Sequence, residues 1–381
     1  MAEPRPFVQV RLQDIDISAD VRSLDVEDHD RLTDQATIVL NDPSMTTAEV
    51  PREGQRVLIE LGWTCAHAVV FEGVVFRVQV QTSGDARQQI TLTAFDRSYL
   101  LQRRPPQPTD HAGKLSAIVR AIVARVPANG IAVGQIEPDP DPEVAAAAPL
   151  RQTSQTDWDF ILQLAERYGC RAFVEYNGNA SKFYFIPTLR FLQNQPMGKL
   201  SYAGTSGRIV RIDFDRLASA ASPVRGAVAS DPVTGEPQPA SPLQVAIEGP
   251  ATPLPSTRAR APGGGSQLDQ ALQVAATATV TPEQLRPVEN VQGLPADPER
   301  ATLASRNDPT CAHGLRARGT CSGVVTLRAK GQVELEGVAS WATGAWYVRQ
   351  VNHIVNLAAD AQGTATVGAD PGYTTRFLLT R

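Results

Sequence analysis

The amino-acid sequence predicts a mainly β protein that contains one α+β module. Three observations lead to this prediction. Apolar and polar residues alternate through residues 1–104, helical periodicity and a hairpin signal follow in residues 105–192, and alternation returns from residue 208 onward. A period of two is typical of half-buried strands, whereas apolar residues three and four apart are typical of amphipathic helices.

The first β region, residues 1–104, is built from short alternating segments. Val8, Val10 and Leu12 share one face of a predicted strand, and residues 90–94 repeat the pattern. Sheets with one apolar face need a second layer or closure on themselves. The region therefore predicts a small β-barrel.

The α+β module, residues 105–192, is predicted to contain two helices and a hairpin. In residues 114–126 the apolar side chains recur at helical spacing. A second helix over 156–168 begins at Thr156, which forms a capping-box pattern with Asp159, and ends before Gly169. The Asn-Gly pair that follows indicates a tight hairpin turn.

Strands are predicted to resume in residues 193–228 and again in residues 318–381. Between them, residues 229–317 are rich in proline, alanine and glycine and have little periodicity. Such composition is typical of segments that do not pack a regular core. We therefore expect residues 229–317 to be an insertion, flexible in part, that splits the second β region.

Composition and charge narrow the class of protein. The chain has 381 residues and a formal net charge of −4, which argues against direct nucleic-acid specificity because phosphate binding needs a basic surface. No apolar run has the length of a membrane span, and the N-terminus lacks the apolar core of a signal peptide. We therefore expect a protein made in the cytoplasm. Four cysteines are too few and too scattered for a disulfide framework.

The acids of the second helix are the first candidates for chemistry. Asp157 and Asp159 could form a catalytic pair, but residues two apart on a helix point away from each other. Helix capping and the helix dipole are sufficient reasons for acids in a first turn. Glu166 and Arg167, at the far end, suggest a salt bridge or a subunit contact. The sequence predicts no catalytic residue and no cofactor site.

The cysteines and histidines leave alternatives open. Cys311, His313 and Cys321 could bind a metal together with a fourth ligand, or the two cysteines could form a disulfide, or the thiols could be unrelated. The spacing lacks the paired Cys-x-x-Cys pattern of zinc sites, so no metal is predicted. His353 lies within an alternating segment, and a residue of a strand face is the simpler interpretation than a catalytic base.

Several colinear segments resemble the phage late control gene D family, the hub proteins of contractile tails, contractile injection systems and type VI secretion spikes. The segments are FEGVVFRVQVQ (71–81), ITLTAFDRSYLL (90–101), KLSAIVRAIVARV (114–126), QTSQTDWDFILQLAERYGCRAFVEYNG (152–178), FYFIPT (183–188), GQVELEGVASWATGAWYVRQVNHIV (331–355) and YTTRFLLTR (373–381). The family's helix motif falls on Asp157, Trp158, Phe160, Leu164, Glu166, Arg167 and Gly169. The chain departs from the family before the closing hairpin, where a proline-containing segment is absent.

The resemblance implies a non-enzymatic baseplate hub. It implies two tail-tube-like β-barrel domains per chain, residues 1–104 and the split pair 193–228 and 318–381, and a homotrimer that forms a pseudo-sixfold ring. Such a ring would be a symmetry adaptor between a hexameric inner tube and a trimeric spike, with other baseplate components around it. The parent particle could be a phage, a tailocin or an injection system.

The resemblance to hub proteins and the presence of an insertion leave two alternatives to a purely structural role. Hub complexes often accompany enzymes that cut cell walls, so a hub-associated peptidoglycan hydrolase is one alternative. The other is a module that binds cargo or a partner through the insertion, residues 229–317.

Overall fold

The computed structural model of the chain describes residues 5–42, 51–82, 88–102, 105, 107–126, 130–203, 207–216, 224–230, 237–239, 288–294, 309–311, 314–339, 341–357 and 372–381. Strands predominate in these ranges, and helices are few and short.

The first β region contains seven strands. They are β1 (Pro6–Leu12), β2 (Ile15–Asp16), β3 (Val21–His29), β4 (Gln35–Asp42), β5 (Arg56–Trp63), β6 (Ala66–Thr82) and β7 (Gln88–Asp96). The alternation predicted for residues 90–94 is present, since Ile90, Leu92 and Ala94 are fully buried while the residues between them are half-buried. Their apolar face packs in a core with Val10, Ile38 and Ile59.

The α+β module contains three helices and short strands. They are β8 (Thr109–His111), β9 (Gly113–Lys114), α1 (Leu115–Val123), β10 (Ala132–Ile136), β11 (Glu143–Val144), β12 (Leu150–Gln152), α2 (Asp157–Arg167), β13 (Cys170–Tyr176), β14 (Ser181–Pro187) and α3 (Thr188–Gln193). Strands β13 and β14 form the hairpin predicted at Asn177-Gly178, and Gly178 has a φ of +95°. Strand β11 pairs with β9 in antiparallel register.

The described residues that follow the module contain nine strands. They are β15 (Lys199–Ser201), β16 (Ile209–Arg216), β17 (Val224–Ser230), β18 (Pro237–Pro239), β19 (Val288–Leu294), β20 (Leu315–Ser322), β21 (Gly331–Glu336), β22 (Gly344–Asn356) and β23 (Gly372–Thr380). Strands β17, β18 and β19 form a separate three-stranded sheet. Most of the remaining predicted insertion lies outside the described residues, so its expected flexibility stays a prediction.

One curled sheet of 13 strands joins the two β regions. The first region contributes β1 to β7, and the second contributes β15, β16 and β20 to β23. The regions meet where β22 pairs with β3 in antiparallel register, from Gln350 opposite His29 to Asn356 opposite Ser23.

The order of strands is the same in both regions. In the first region the neighbours run β3, β4, β7, β6, β5, β1, and in the second they run β16, β20, β23, β22, β21, β15. Corresponding strands also follow one another in the same order along the chain. One pairing differs in direction, because β15 is parallel to β21 whereas β1 is antiparallel to β5. We call these two groups the first and second strand sets.

Register irregularities recur at matching places in the two sets. The pairing of β3 with β4 shifts between Val21 and Ser23, and that of β16 with β20 shifts between Ile209 and Arg211. The pairing of β6 with β7 shifts after Val75, and that of β22 with β23 shifts after Val348. A bulge re-aims the side chains of its strand, so its position is part of a sheet's design.

Both cores lie on the same side of the sheet. Val351 packs in the core of the second set and Val355 in the core of the first. These residues of β22 are four apart and therefore share a face. A third core belongs to the module and contains Trp158, Phe183 and Phe185.

No helix among the described residues combines the length and apolarity needed to cross a membrane.

Candidate assembly site

Helix α2 carries most of the motif residues that the sequence singles out. Thr156 caps its N-terminus, because the hydroxyl oxygen accepts a hydrogen bond of 3.0 Å from the backbone N–H of Asp159. Gly169 follows the helix with a φ of +65°, a conformation that favours glycine. The predicted bounds of this helix are therefore confirmed.

The two acids of α2 have separate partners. The buried carboxylate of Asp157 accepts hydrogen bonds from Arg125 at 2.7 Å and from Gln152 at 2.9 Å. Asp159 instead contacts the hydroxyl of Thr156 at 2.7 Å. This arrangement ties α2 to the end of α1 and to β12, and it does not bring the two carboxylates to one reacting centre.

The apolar motif residues of α2 lie in the module core. Trp158, Phe160 and Leu164 are all at most 3% exposed. Leu162, on the same helix, is only partly buried. At the other end, Glu166 is exposed and Arg167 is half-buried.

A network of buried charges connects the module to both strand sets. The carboxylate of Asp28 in β3 contacts the ammonium of Lys330 at 2.6 Å and the guanidinium of Arg328 at 2.8 Å, both from the second set's side. Arg328 also reaches Glu175 of β13 at 3.3 Å. We call Asp28, Glu175, Arg328 and Lys330 the junction cluster.

Electrostatics keep Asp28 and Lys330 ionised. Burial alone would raise the pKa of Asp28, but Lys330 and Arg328 overcome this and hold the pKa well below its ordinary value. Burial likewise opposes the charge on Lys330, yet Asp28 raises the pKa of this ammonium. Because unpaired buried charges are costly, the cluster fixes how the three parts of the chain meet.

Other polar contacts strengthen the same meeting point. Glu72 of β6 accepts hydrogen bonds from Arg97 at 2.6 Å and from Arg56 at 3.0 Å, and it also contacts the hydroxyl of Ser181 in β14. Asp30, which follows β3, lies 3.5 Å from Arg171 of β13.

Comparison with known proteins gives the fold its context. No protein-family model and no curated protein sequence matches the chain. Among solved structures, a tail protein from Neisseria meningitidis MC58 is similar at a TM-score of 0.63 and 12% identity, covering 99% of this chain and 97% of that one. A prophage MuSo2 43 kDa tail protein from Shewanella oneidensis is similar at a TM-score of 0.59 and 10% identity, covering 99% and 98%.

A third structure belongs to a secretion system. The E. coli c3393 protein, described as a type VI secretion component with structural similarity to the T4 tail proteins gp27 and gp5, is similar at a TM-score of 0.56 and 10% identity. The match covers 99% of this chain and 76% of that one.

The chain has a phage tail-protein fold. This fold is the one that the resemblance to hub proteins predicts, and it extends over nearly the whole chain, including the parts on both sides of the insertion.

In this tail-protein fold, the face of the sheet opposite the cores is polar. Across the junction of the sets, Gln350 donates a 2.7 Å hydrogen bond to Glu27, and Asn352 donates a 3.3 Å bond to Asp25. Farther along, Arg211, Arg318 and Arg376 are exposed on the strands β16, β20 and β23.

Of the three candidate metal residues, the structure describes Cys311 and Cys321. Cys321 is fully buried, and burial raises the pKa of its thiol to about 12, which disfavours the thiolate that binds metals. Cys311 is partly exposed, and His313 lies outside the described residues. The four cysteines, all of them described, form no disulfide. Within the described ranges, no group of three potential ligands is suited to a metal ion.

His353 is fully buried, in agreement with a structural role. Its Nδ1 atom lies 2.7 Å from the hydroxyl of Tyr373, and burial, aided by Arg328, lowers the pKa of the imidazole to about 3. The ring is therefore neutral and packed inside the sheet layer.

The sequence patterns described above did not predict the junction cluster. One sequence signal could have found it: Asp28 and Asp30 continue the buried phase of Leu24 and Val26 along β3. An acid in phase with core residues predicts a buried cationic partner, although it does not identify that partner.

Proposed function

We propose that this protein is a structural hub subunit of a contractile phage tail or a phage tail-like injection particle. The observation that carries the proposal is the repeated strand order, with matching bulges, in a chain that has a tail-protein fold. Two similar strand sets within one polypeptide suit a ring in which each chain fills two equivalent positions.

Three copies arranged in this way would present six strand sets around an axis. The ring would then match a hexameric inner tube on one side and a trimeric spike on the other. Its partners would be a second and third copy, the tube protein, the spike protein and other baseplate components. It would be made in the bacterial cytoplasm and act within the assembled particle.

The proposed domains follow from the same reasoning. Residues 1–104 form one tube-like unit, and residues 193–228 with 318–381 form the other. The module 105–192 braces them, and residues 229–317 are an insertion. The junction cluster supports this division, because its ion pairs connect the module and the two strand sets and fix their relative positions.

The polar face of the sheet would line the lumen of the ring. This assignment is supported by the position of both cores on the opposite side. A lumen wall lined mainly by polar side chains would offer the contents of the tube little apolar surface to adhere to.

The proposal assigns no enzymatic activity to the chain. The structures reported above are tail and secretion proteins, and the acids of α2 each have a structural partner. Neither observation favours the hydrolase alternative.

Native mass spectrometry tests the proposed function. The purified chain, alone or mixed with its tube and spike proteins, is expected to give a species of three copies. A chain that stays monomeric at high concentration and in the presence of both partners would contradict the proposal.

A further inference from the structure

We infer that the free edge of β6, residues Arg77–Thr82, pairs in antiparallel register with β16 of a second copy. The inference rests on the proposed function and names the surface through which one copy meets the next. The occupant of the edge is a second copy of this chain, because the chain already contains the same joint between its own two sets.

The repeat aligns residue by residue. The bulges place Arg77 of β6 at the position of Gln350 in β22, and Arg211 of β16 at the position of Ser23 in β3. Intermediate strands give the same alignment, since β20 pairs with β23 in the register in which β4 pairs with β7.

Within the chain, the aligned positions form the joint between sets. There, Val351 lies opposite Asp28, and His353 lies opposite Val26. Strands β6 and β16 are the equivalents of β22 and β3. The same register between two copies places Val78 opposite Arg216 of the second copy and Val80 opposite its Phe214.

Both edges are open in the part of the chain that the structure describes. Residues Arg77–Thr82 have β7 on one side and no strand on the other, because β5 pairs only as far as Val74. Strand β16 likewise pairs with β20 alone. Open edges offer unpaired backbone N–H and C=O groups to another chain.

Residues of the free edges are more exposed than their equivalents in the joint, as expected when a neighbouring strand is missing. Val80 is 44% exposed, whereas His353, its counterpart in the joint, is 0% exposed. Phe214 is only half-buried, whereas its counterpart Val26 is 1% exposed. Pairing with a second copy would cover these apolar side chains.

Charge is complementary across the proposed edge. The bond between Gln350 and Glu27 in the joint corresponds to a pair between Arg77 and the second copy's Asp215. Both residues are exposed in the single chain. A cation on one edge and an anion at the matching place on the other favour this register over its neighbours.

Cysteine cross-linking tests the register. In a Cys65→Ser background, the Gln79→Cys/Asp215→Cys variant places one thiol on each edge at directly opposite positions. Mild oxidation is expected to give covalent oligomers. The control Gln79→Cys/Arg211→Cys uses the same face but moves one thiol about 13 Å along the strand, too far for a disulfide. Equal cross-linking of both variants, or of neither, would overturn the register.

Charge reversal gives a second readout in the full chain. Arg77→Glu and Asp215→Arg each set like charges against each other and are expected to weaken association by about fivefold or more. The double variant restores opposite charges and should recover association. Both residues are exposed, so the melting temperature of the monomer should not change. Failure of the double variant to recover association would contradict the pairing.

The outcomes separate this inference from the proposed function. Three-copy assembly in native mass spectra without the cross-link would refute the edge pairing and leave the hub proposal standing. Absence of any oligomer of the unmodified chain would refute both.

Discussion

At the scale of single residues, Asp28 shows how a charge can take a position that belongs to the core. It is 2% exposed and continues the buried phase of β3, and its carboxylate is paired with the cations Lys330 and Arg328. The pairing makes burial tolerable and joins residues about 300 positions apart in the chain. Such a cluster specifies a unique arrangement more than it adds net stability.

Asp28→Asn should destabilise the protein strongly, because it removes the carboxylate that pairs with the buried ammonium of Lys330 and with the partly buried guanidinium of Arg328. The expected loss is about 3–5 kcal/mol in the free energy of unfolding, measured by urea denaturation. Glu137→Gln is the matched control. It breaks an exposed pair with Arg190 at the same close range, 2.7 Å, and should cost about 0–1 kcal/mol. Similar losses for the two variants would contradict the role of the cluster.

The buried carboxyl of Asp96 should make the free energy of unfolding depend on pH with a sign opposite to that of a carboxylate in an ordinary ion pair. Burial raises its pKa from 3.8 to about 6. Between these values the folded state holds a proton that the unfolded state releases, so stability falls as the pH rises. We expect Asp96 to contribute a decrease of roughly 2 kcal/mol in the free energy of unfolding between pH 4 and pH 6.5, and the buried His353, whose pKa is lowered to about 3, to contribute a change of opposite sign.

Asp96→Asn removes this contribution, so the free energy of unfolding of the variant minus that of the wild type should rise by roughly 2 kcal/mol between pH 4 and pH 6.5, whatever the difference at a single pH. Asp110→Asn, at an exposed carboxylate, should keep the pH dependence of the wild type. The pKa of Asp28 is depressed, so its contribution is lost only below about pH 4 and does not enter this window. An unchanged slope in Asp96→Asn would show that another group titrates.

At the scale of elements, α2 is a capped support for the module rather than a carrier of chemistry. Trp158 is 3% exposed in the module core. Trp158→Ala should therefore cost about 3–5 kcal/mol, read as the shift of the denaturation midpoint. Gln163→Ala, on the exposed side of the same helix, should change little. A melting temperature unchanged by Trp158→Ala would mean that the packing of α2 is not as described.

The elements themselves were largely predictable from the sequence. Local signals set them: alternation in β7, helical spacing in α1, and the cap and glycine of α2. What local patterns could not predict is which strands are neighbours. The pairing of β22 with β3 joins residues more than 320 positions apart, and periodicity carries no information about such contacts.

The candidate site was less predictable than the fold. Motif residues of α2 were found because they combine a cap, an apolar stripe and a stop within a few residues. The partners Arg328 and Lys330 were not, since they lie about 300 positions from Asp28 in the chain. Distant charges can be matched only when the topology is known.

At the scale of the whole molecule, the chain repeats one arrangement of six strands. A single strand pair, β22 with β3, joins the two strand sets. The joint between β22 and β3 is a model, inside one polypeptide, of the contact that a second copy would make. A heterologous contact of this kind generates a ring when its rotation closes. The continuous sheet would then place one polar face toward the axis.

The most direct test of this account is an electron cryo-microscopy map of the purified oligomer. We predict a closed ring of three chains in which six strand sets superpose, with β6 of each chain paired to β16 of the next and Val80 opposite Phe214. A ring whose two sets per chain do not superpose, or whose β6 and β16 edges stay unpaired, would contradict it.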